Sequence, residues 1–182
     1  MKSITNLATT PAAHPVIADD LVEYHAARLL LLFRVCGTKD RIEGLTKLAK
    51  LDFFVRYPEF FEQVCHHLGL AASASTKTRE SGMVRFHYGP WDKRYYQVLA
   101  YLEGRELVTV SKEGSAFIFS LTPKGVQLAD QFRKASPFGD LVTQMKAVKK
   151  VLGGMSGSKI KSLIYKVFER EVGAKALGEA IS

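Results

Sequence analysis

The segment from Glu106 to Leu121 restricts the fold more than any other part of this chain. It contains two runs rich in β-branched and aromatic residues, "ELVTV" and "AFIFSL", which are joined by the polar linker "SKEGS". Runs of this length and composition favour β-strands. Gly114 in the linker suits the backbone conformation of a tight turn. The segment therefore predicts a β-hairpin.

A helix is predicted directly after this hairpin. Thr122 has a side chain that is preferred at a helix N-cap. Pro123 suits the first helical position, because its missing N–H would have no partner there. Apolar side chains then recur at helical spacing as far as Ala135, at Val126, Leu128, Ala129 and Phe132.

Three helices are predicted in the first part of the chain. The first is capped at 19–20 and ends at Gly37. Its run 29–33 is apolar on all sides, which indicates a central and buried helix. A second helix is predicted over 41–57, and a third over 58–69.

The stretch between these helices and the hairpin predicts a loop, a strand and a helix. Residues 71–82 are small and polar and have no period, so they favour a loop. Residues 84–88 alternate as in a strand, and a turn follows. A helix is then predicted from Pro90 to Gly104, with Asp92 in its first turn, where a negative charge complements the helix dipole.

The last part of the chain predicts two more helices, over 141–152 and around 160–168. Basic residues are most concentrated here. The whole chain has a net charge of +8 and 47% hydrophobic residues, which fits a globular protein with a polyanionic or acidic partner.

The stretches "LEGRELVTV" and "FIFSLTPKG" resemble the helix–wing–helix segment of bacterial winged-helix regulators, over roughly residues 84–135. In those proteins a recognition helix precedes two wing strands, and a Leu-Thr-x-x-Gly motif closes the wing. The resemblance implies a mainly α-helical fold with a small β-wing (α+β), namely a winged helix-turn-helix core with N- and C-terminal helices. The expected division is a flexible N-terminal arm at 1–18, a winged-helix domain at 19–136 and a basic C-terminal helical extension at 137–182.

A longer pattern resembles a narrower family. The stretches "LLLLFRVCGTKDRIEGLTKLAKLDFFVRYPEFF", "VRFHYGPWDKRYYQVLAYLEGREL" and "GSKIKSLIYKVFE" are similar to the middle component of bacterial three-component ABC-ATPase systems, found in Lamassu-type antiphage defence. The resemblance covers most of residues 20–170. It implies a non-enzymatic adaptor that sits on an SMC- or Rad50-like ATPase. Such an adaptor helps to hold an effector, for example a nuclease, inactive until phage DNA or DNA ends are sensed.

Sequence patterns typical of enzymes are missing. The adjacent His66 and His67 would point about 100° apart on a helix and would not share a metal ion. Cys36 and Cys65 have no CxxC spacing and are interpreted as core residues, and no Walker A, HExxH, GxGxxG or GxSxG motif occurs. The glycine-rich stretch 153–159 lacks the spacing and the preceding strand of a phosphate loop. We therefore expect no catalytic activity and no cofactor.

The chain has no apolar run of about 18 residues that could cross a membrane, and its N-terminus lacks the apolar segment of a secretion signal. We expect a cytoplasmic protein.

Two kinds of interaction residue are predicted. On DNA, basic residues of the recognition helix and wing would contact phosphates or base edges, and Gln97 could read an adenine. The same cations could instead face an acidic protein surface or only solvent. The residues predicted to contact DNA or phosphate are Arg85, His87, Lys93, Arg94, Lys112, Lys146, Lys149, Lys150, Lys159 and Lys161.

The aromatic residues of the same region favour a protein interface over DNA reading. The second hairpin strand is apolar on both faces, and such a strand is usually covered on both, here by the chain's own helices and by a partner. Aromatic side chains are common anchors of interfaces. The predicted interface residues are Trp91, Tyr95, Tyr96, Phe117 and Phe119. The alternative hypothesis is a winged-helix DNA-binding transcriptional regulator.

Overall fold

The computed structural model describes residues 21–71, 83–86, 89–169, 172 and 176–181. The described residues are mainly helical with a small antiparallel sheet, which confirms the α+β prediction. Their elements in chain order are α1 (Val22–Cys36), β1 (Arg41–Glu43), α2 (Leu45–Arg56), α3 (Pro58–His67), β2 (Val84–Phe86), β3 (Gly89–Trp91), α4 (Tyr95–Gly104), β4 (Val108–Glu113), β5 (Ala116–Leu121), α5 (Pro123–Lys134), a 3-10 turn (Ser136–Phe138), α6 (Gly139–Leu152) and α7 (Gly157–Val167).

The predicted hairpin is confirmed as β4 and β5, which pair antiparallel through a turn at Gly114. The predicted helix after it is also confirmed. It begins at Pro123, and the Thr122 hydroxyl accepts a hydrogen bond from the Gly125 N–H at 3.0 Å. The sequence therefore predicted the positions of β4, β5 and α5 to within a few residues.

A third strand joins the hairpin, so the prediction of one helix over 41–57 is wrong at its start. Residues Arg41–Glu43 form β1, which pairs with β5 and gives the sheet the order β1-β5-β4. The following residue, Gly44, has φ +81 and donates its N–H to the Phe117 carbonyl at 2.8 Å. α2 therefore begins only at Leu45. The exposed edge of the hairpin offers backbone partners, which outweigh the local helical pattern.

The predicted start of the fourth helix is also wrong. Residues 89–91 form β3, which pairs with β2, and the helix begins at Tyr95 rather than at Pro90. Asp92 lies before the helix and accepts the Arg94 backbone N–H at 2.9 Å. This bond forms a turn that separates the strand from the helix.

α1 is the central helix, as its all-apolar run predicted. The side chains from Leu29 to Phe33 are at most 1% exposed, and the helix ends at Gly37 as predicted. The predicted cap at 19–20 lies outside the described residues; the N-cap of the described helix is Leu21.

α1 packs against α2, α4, α5 and α6, whereas α7 packs against α2 and α3. Met145 of α6 and Ile160 of α7 are fully buried in the same core as α1. The helices of the predicted C-terminal extension thus contribute to the core of the remainder of the chain.

The glycine of the "LTPKG" motif makes a testable contribution to this packing. A Cβ on Gly125 would overlap the Leu107 carbonyl oxygen, which also accepts the Thr122 N–H at 3.1 Å and so is fixed in place. We expect Gly125→Ala to lower the free energy of unfolding by about 2 kcal/mol, despite the better helix propensity of alanine. Urea unfolding followed by circular dichroism measures the change.

Gly139 provides the control for this substitution. It is also at the start of a helix, but a Cβ there meets no atom within 4 Å. Gly139→Ala is expected to change the free energy of unfolding by less than about 1 kcal/mol. Equal effects at both positions would contradict the argument from close packing.

Candidate interaction surfaces

A buried ionic network positions the start of α4 on α1 and α2. Its centre is Asp52, which is 0% exposed. Arg28 donates to both carboxylate oxygens of Asp52, from Nε at 2.9 Å and from Nη2 at 3.3 Å. The Tyr95 hydroxyl donates to Oδ2 of the same carboxylate at 2.8 Å. These bonds join α1, α2 and α4.

A second buried carboxylate extends this network. Asp92 accepts from Nε of Arg94 at 2.9 Å, from Nη2 of Arg94 at 2.8 Å and from Nη1 of Arg56 at 2.8 Å. Burial alone would raise the pKa of Asp92, but the hydrogen bonds from Arg94 and the charge of Arg56 outweigh it and hold the pKa well below its ordinary value. Asp92 is therefore ionised at neutral pH.

His25 lies between two arginines of the network. Its Nδ1 is 2.9 Å from Nη1 of Arg28, and its Nε2 is 2.7 Å from Nη1 of Arg94. Guanidinium groups only donate hydrogen bonds, and a neutral imidazole accepts through one nitrogen. At most one of these two contacts is therefore a hydrogen bond to a neutral ring.

Three of the predicted site residues lie in or beside this network. The Arg94 guanidinium donates to Asp92, and its Nη1 lies 2.7 Å from Nε2 of His25, so groups of the chain itself hold this predicted DNA contact. Trp91 is 8% exposed and Tyr95 is 1% exposed, and their rings pack edge to face with centroids 5.2 Å apart. These two residues of the predicted protein interface are therefore packed in the core.

A third aromatic residue of the predicted interface is also buried. Phe119 is 5% exposed, and its ring centroid lies 6.5 Å from that of Phe33 in the core. Ile118 is 3% exposed, so the chain itself covers both faces of β5 at these positions. Phe117 precedes them near the hairpin turn and is 53% exposed.

The exposed face of α4 consists of the side chains that point away from the core. Tyr96 is 66% exposed, the largest fraction among the large apolar or aromatic side chains of the described residues. Its ring centroid lies 5.8 Å from that of the buried Trp91, so one side of the ring rests on the fold. The other exposed residues of this face are Gln97, Ala100 and Glu103, and Lys93 is exposed just before the helix.

Charges on the α4 face and the hairpin balance. Lys93 and Lys112 are exposed, and so are Glu103 and Glu113. In the neighbouring strand, Arg41 lies 3.2 Å from Glu43 and 3.7 Å from Glu113. The region predicted to meet DNA thus has no excess of positive charge on these residues.

The remaining predicted cations have different surroundings. Lys149 is not directed outward, because its Nζ donates to the carbonyl oxygens of Cys36 and Gly37 at 2.8 and 2.6 Å, at the C-terminus of α1. Arg85 and Lys161 are half-buried, whereas His87 lies outside the described residues. The exposed cations among the predicted residues are Lys93, Lys112, Lys146, Lys150 and Lys159.

A lysine of α2 is among the buried cations that sequence reasoning missed. Lys50 is 0% exposed, and its Nζ donates to the Pro90 carbonyl oxygen at 3.0 Å. Burial lowers the pKa of Lys50 to about 7, and the charge of Lys161 contributes in the same direction. The apolar stripe of α2 gave no signal for this residue, because Lys50 lies on the other side of the helix from Leu45, Leu48 and Val55.

In the described part of the chain, no cluster of three or more His, Cys, Asp or Glu residues could hold a metal ion, and no helix has the length and hydropathy of a membrane span. His66 and His67 are exposed at the end of α3. In comparisons with known proteins, no family model, curated protein or solved structure matches this chain.

Proposed function

We propose that this chain is a non-enzymatic winged-helix adaptor subunit of a protein complex. Its partner would be an SMC- or Rad50-like ATPase in an antiphage defence system of the Lamassu type. The chain would also help to hold an effector, such as a nuclease, in this complex. The observation that carries the docking role is the exposure of Tyr96 and Phe117 on elements whose charges balance. The nature of the partner comes from the sequence resemblance alone.

The winged-helix part of the proposal has support from the topology. α1, α2 and α4 are followed by the β4–β5 hairpin, and β1 pairs with β5 to complete a three-stranded sheet. In a winged helix, α4 would be the recognition helix and the hairpin the wing. One feature departs from the pattern: residues 57–94, including α3, β2 and β3, separate α2 from α4, where a helix-turn-helix has a short turn.

Docking on protein is favoured over DNA reading by charge. A helix that binds DNA neutralises several phosphates. At the start of α4, Asp92 holds Arg94, and the exposed cations at the two ends of the helix, Lys93 and Arg105, are opposed by the exposed Glu103 and Glu106. An exposed tyrosine supported by a buried tryptophan is instead typical of an interface anchor.

The test is co-expression with an SMC- or Rad50-like ATPase from the same genome, followed by affinity purification with and without nuclease. We expect a stoichiometric complex that survives nuclease. The double variant Tyr96→Asp and Phe117→Asp should weaken it by at least about thirtyfold, because loss of an anchor residue typically costs about 2 kcal/mol or more.

Leu177→Asp is the matched control, since it also replaces an exposed apolar side chain, 56% exposed, with a charge. It should leave the complex intact. Failure to obtain any nuclease-resistant complex with such an ATPase would reject the proposal. A complex that tolerates the double variant would reject the assignment of the interface.

A second candidate function is a winged-helix transcriptional regulator. The observation in its favour is that Lys93 and Gln97 are exposed on α4 while Lys112 is exposed near the hairpin turn. It predicts saturable, sequence-dependent binding of a short duplex at about 0.15 M salt. Affinity that falls with salt equally for every sequence would leave only phosphate contacts and reject this candidate.

A further inference from the structure

A groove of about 580 Å³ lies between α3 and α6, apart from α4 and the hairpin. Phe61 and Cys65 line it from α3, and Leu70 lines it just after that helix. Ala147 and Val151 line it from α6. The floor is therefore apolar, and its volume lies in the range of sites that bury a ligand.

Two lysines stand at the rim of this groove. Lys146 and Lys150 are four residues apart on α6, so they lie on the same side of the helix, and both are exposed and line the groove. Within the described residues neither has an ion-pair partner. Their neighbour Lys149 differs, because it bonds the end of α1. One acid of α3, Glu62, has a charge that acts on Cys65 of the floor.

Part of the apolar lining is exposed. Leu70, which lines the groove, is 46% exposed, and Leu68, two residues earlier and just past the end of α3, is 38% exposed. An open apolar groove between two helices suits the apolar face of a third helix. Exposed apolar surface with a polar rim is typical of an interaction site.

We propose that this groove binds an acidic amphipathic helix of a partner protein. Apolar side chains of that helix, spaced at i, i+3, i+4 and i+7, would occupy the floor. Its Asp or Glu side chains would pair with Lys146 and Lys150. The net charge of +8 favours the approach of such a partner.

The chain's own segment 72–82 does not have the sequence of an acidic amphipathic helix. Its sequence carries no apolar side chain larger than alanine, and it has Lys77 and Arg79 against Glu80. The inference goes beyond the adaptor proposal and does not depend on which ATPase, if any, the chain binds.

The probe is a fluorescein-labelled helical peptide of about 18 residues, with leucines at the stated spacing and glutamates beside them. Its control has lysine at every glutamate position. We expect the acidic peptide to bind with saturation in fluorescence anisotropy at about 0.15 M salt, and the basic peptide to bind at least about tenfold more weakly.

Charge reversal at the rim is the decisive variant. Lys146→Glu with Lys150→Glu should weaken binding of the acidic peptide by at least about tenfold. Lys159→Glu with Lys166→Glu changes the net charge equally, at exposed positions of α7, and should alter binding by less than about threefold. Circular dichroism checks that both variants are folded.

A photo-reactive version of the peptide provides a second measurement. Cross-links should map to α3 and α6, and Ala147→Trp, which fills the groove, should abolish them.

Equal binding of the two peptides, equal effects of the two charge reversals, or cross-links on other elements would each overturn the proposal. Binding of decanoate in the groove without binding of the peptide would also overturn it, because the ligand would then be a small anionic amphiphile.

Discussion

Replacing Asp52 with Asn is expected to lower the free energy of unfolding by about 3 to 5 kcal/mol, or to prevent folding. The carboxylate is 0% exposed and accepts two hydrogen bonds from Arg28, and it lies 3.8 Å from Nη1 of Arg56. Asparagine has nearly the same shape but no charge. The substitution would leave the Arg28 guanidinium, itself 1% exposed, without its counter-charge in the core.

Asp130 provides an unusually close control. It also binds one arginine through two bonds, from Nε of Arg34 at 3.0 Å and from Nη2 at 3.2 Å. The Arg28 pair has the corresponding distances of 2.9 and 3.3 Å. The two pairs differ in burial, because the side chains of Arg34 and Asp130 are 28% and 29% exposed.

Because water screens the Arg34 pair, Asp130→Asn should lower the free energy of unfolding by less than about 1 kcal/mol. Urea unfolding of both variants at pH 7, followed by circular dichroism, makes the comparison. Equal losses would contradict the claim that burial decides the contribution of the Asp52 pair. A fully stable Asp52→Asn protein would contradict the network itself.

This network shows what the sequence could not predict. Lys50, Asp52 and Arg56 are charged residues of a helix whose apolar stripe predicts one buried face, and charged side chains are mostly exposed. They are buried because α2 has neighbours on several sides, among them α1, α6, α7 and β3. Which neighbours a helix has is a property of the tertiary fold, and periodicity does not contain it.

Other parts of the fold were predictable because their signals are local. Thr122 and Pro123 mark a helix start through their own chemistry, and Gly114 marks a turn. β1 was not predicted from the sequence, because this strand has only three residues and forms by pairing with β5, about 75 residues later in the chain. Among the predicted interface residues, Tyr96 and Phe117 are exposed. Trp91, Tyr95 and Phe119 are aromatic too, so residue type alone could not show that they are buried.

The buried Lys50 gives the second large prediction, a pH dependence of stability. Its pKa in the folded protein is about 7 instead of 10.5, since burial penalises the ammonium and Lys161 repels it. Between these two pH values the unfolded chain holds a proton on Lys50 that the folded chain lacks. The free energy of unfolding attributable to Lys50 therefore rises with pH in this window.

Lys50→Met removes this contribution. Below about pH 7 Lys50 is protonated in both states and its penalty is complete, and above about pH 10.5 it is neutral in both states and the penalty is gone. The free energy of unfolding of the wild type, minus that of Lys50→Met, should therefore increase by about 4 kcal/mol from pH 7 to pH 10.5. Urea unfolding at several pH values gives this difference, in which the other titrating groups cancel.

The slope with pH is more diagnostic than the effect at one pH. Methionine relieves the burial of a charge but leaves the Pro90 carbonyl without its donor, and these two changes oppose each other at neutral pH. Lys159→Met, at an exposed position, should give a difference that stays flat. A flat difference for Lys50→Met would mean that the folded protein retains the ammonium in its core at alkaline pH. A difference that falls as pH rises would mean that the Pro90 carbonyl and its surroundings stabilise the charged form more than burial penalises it.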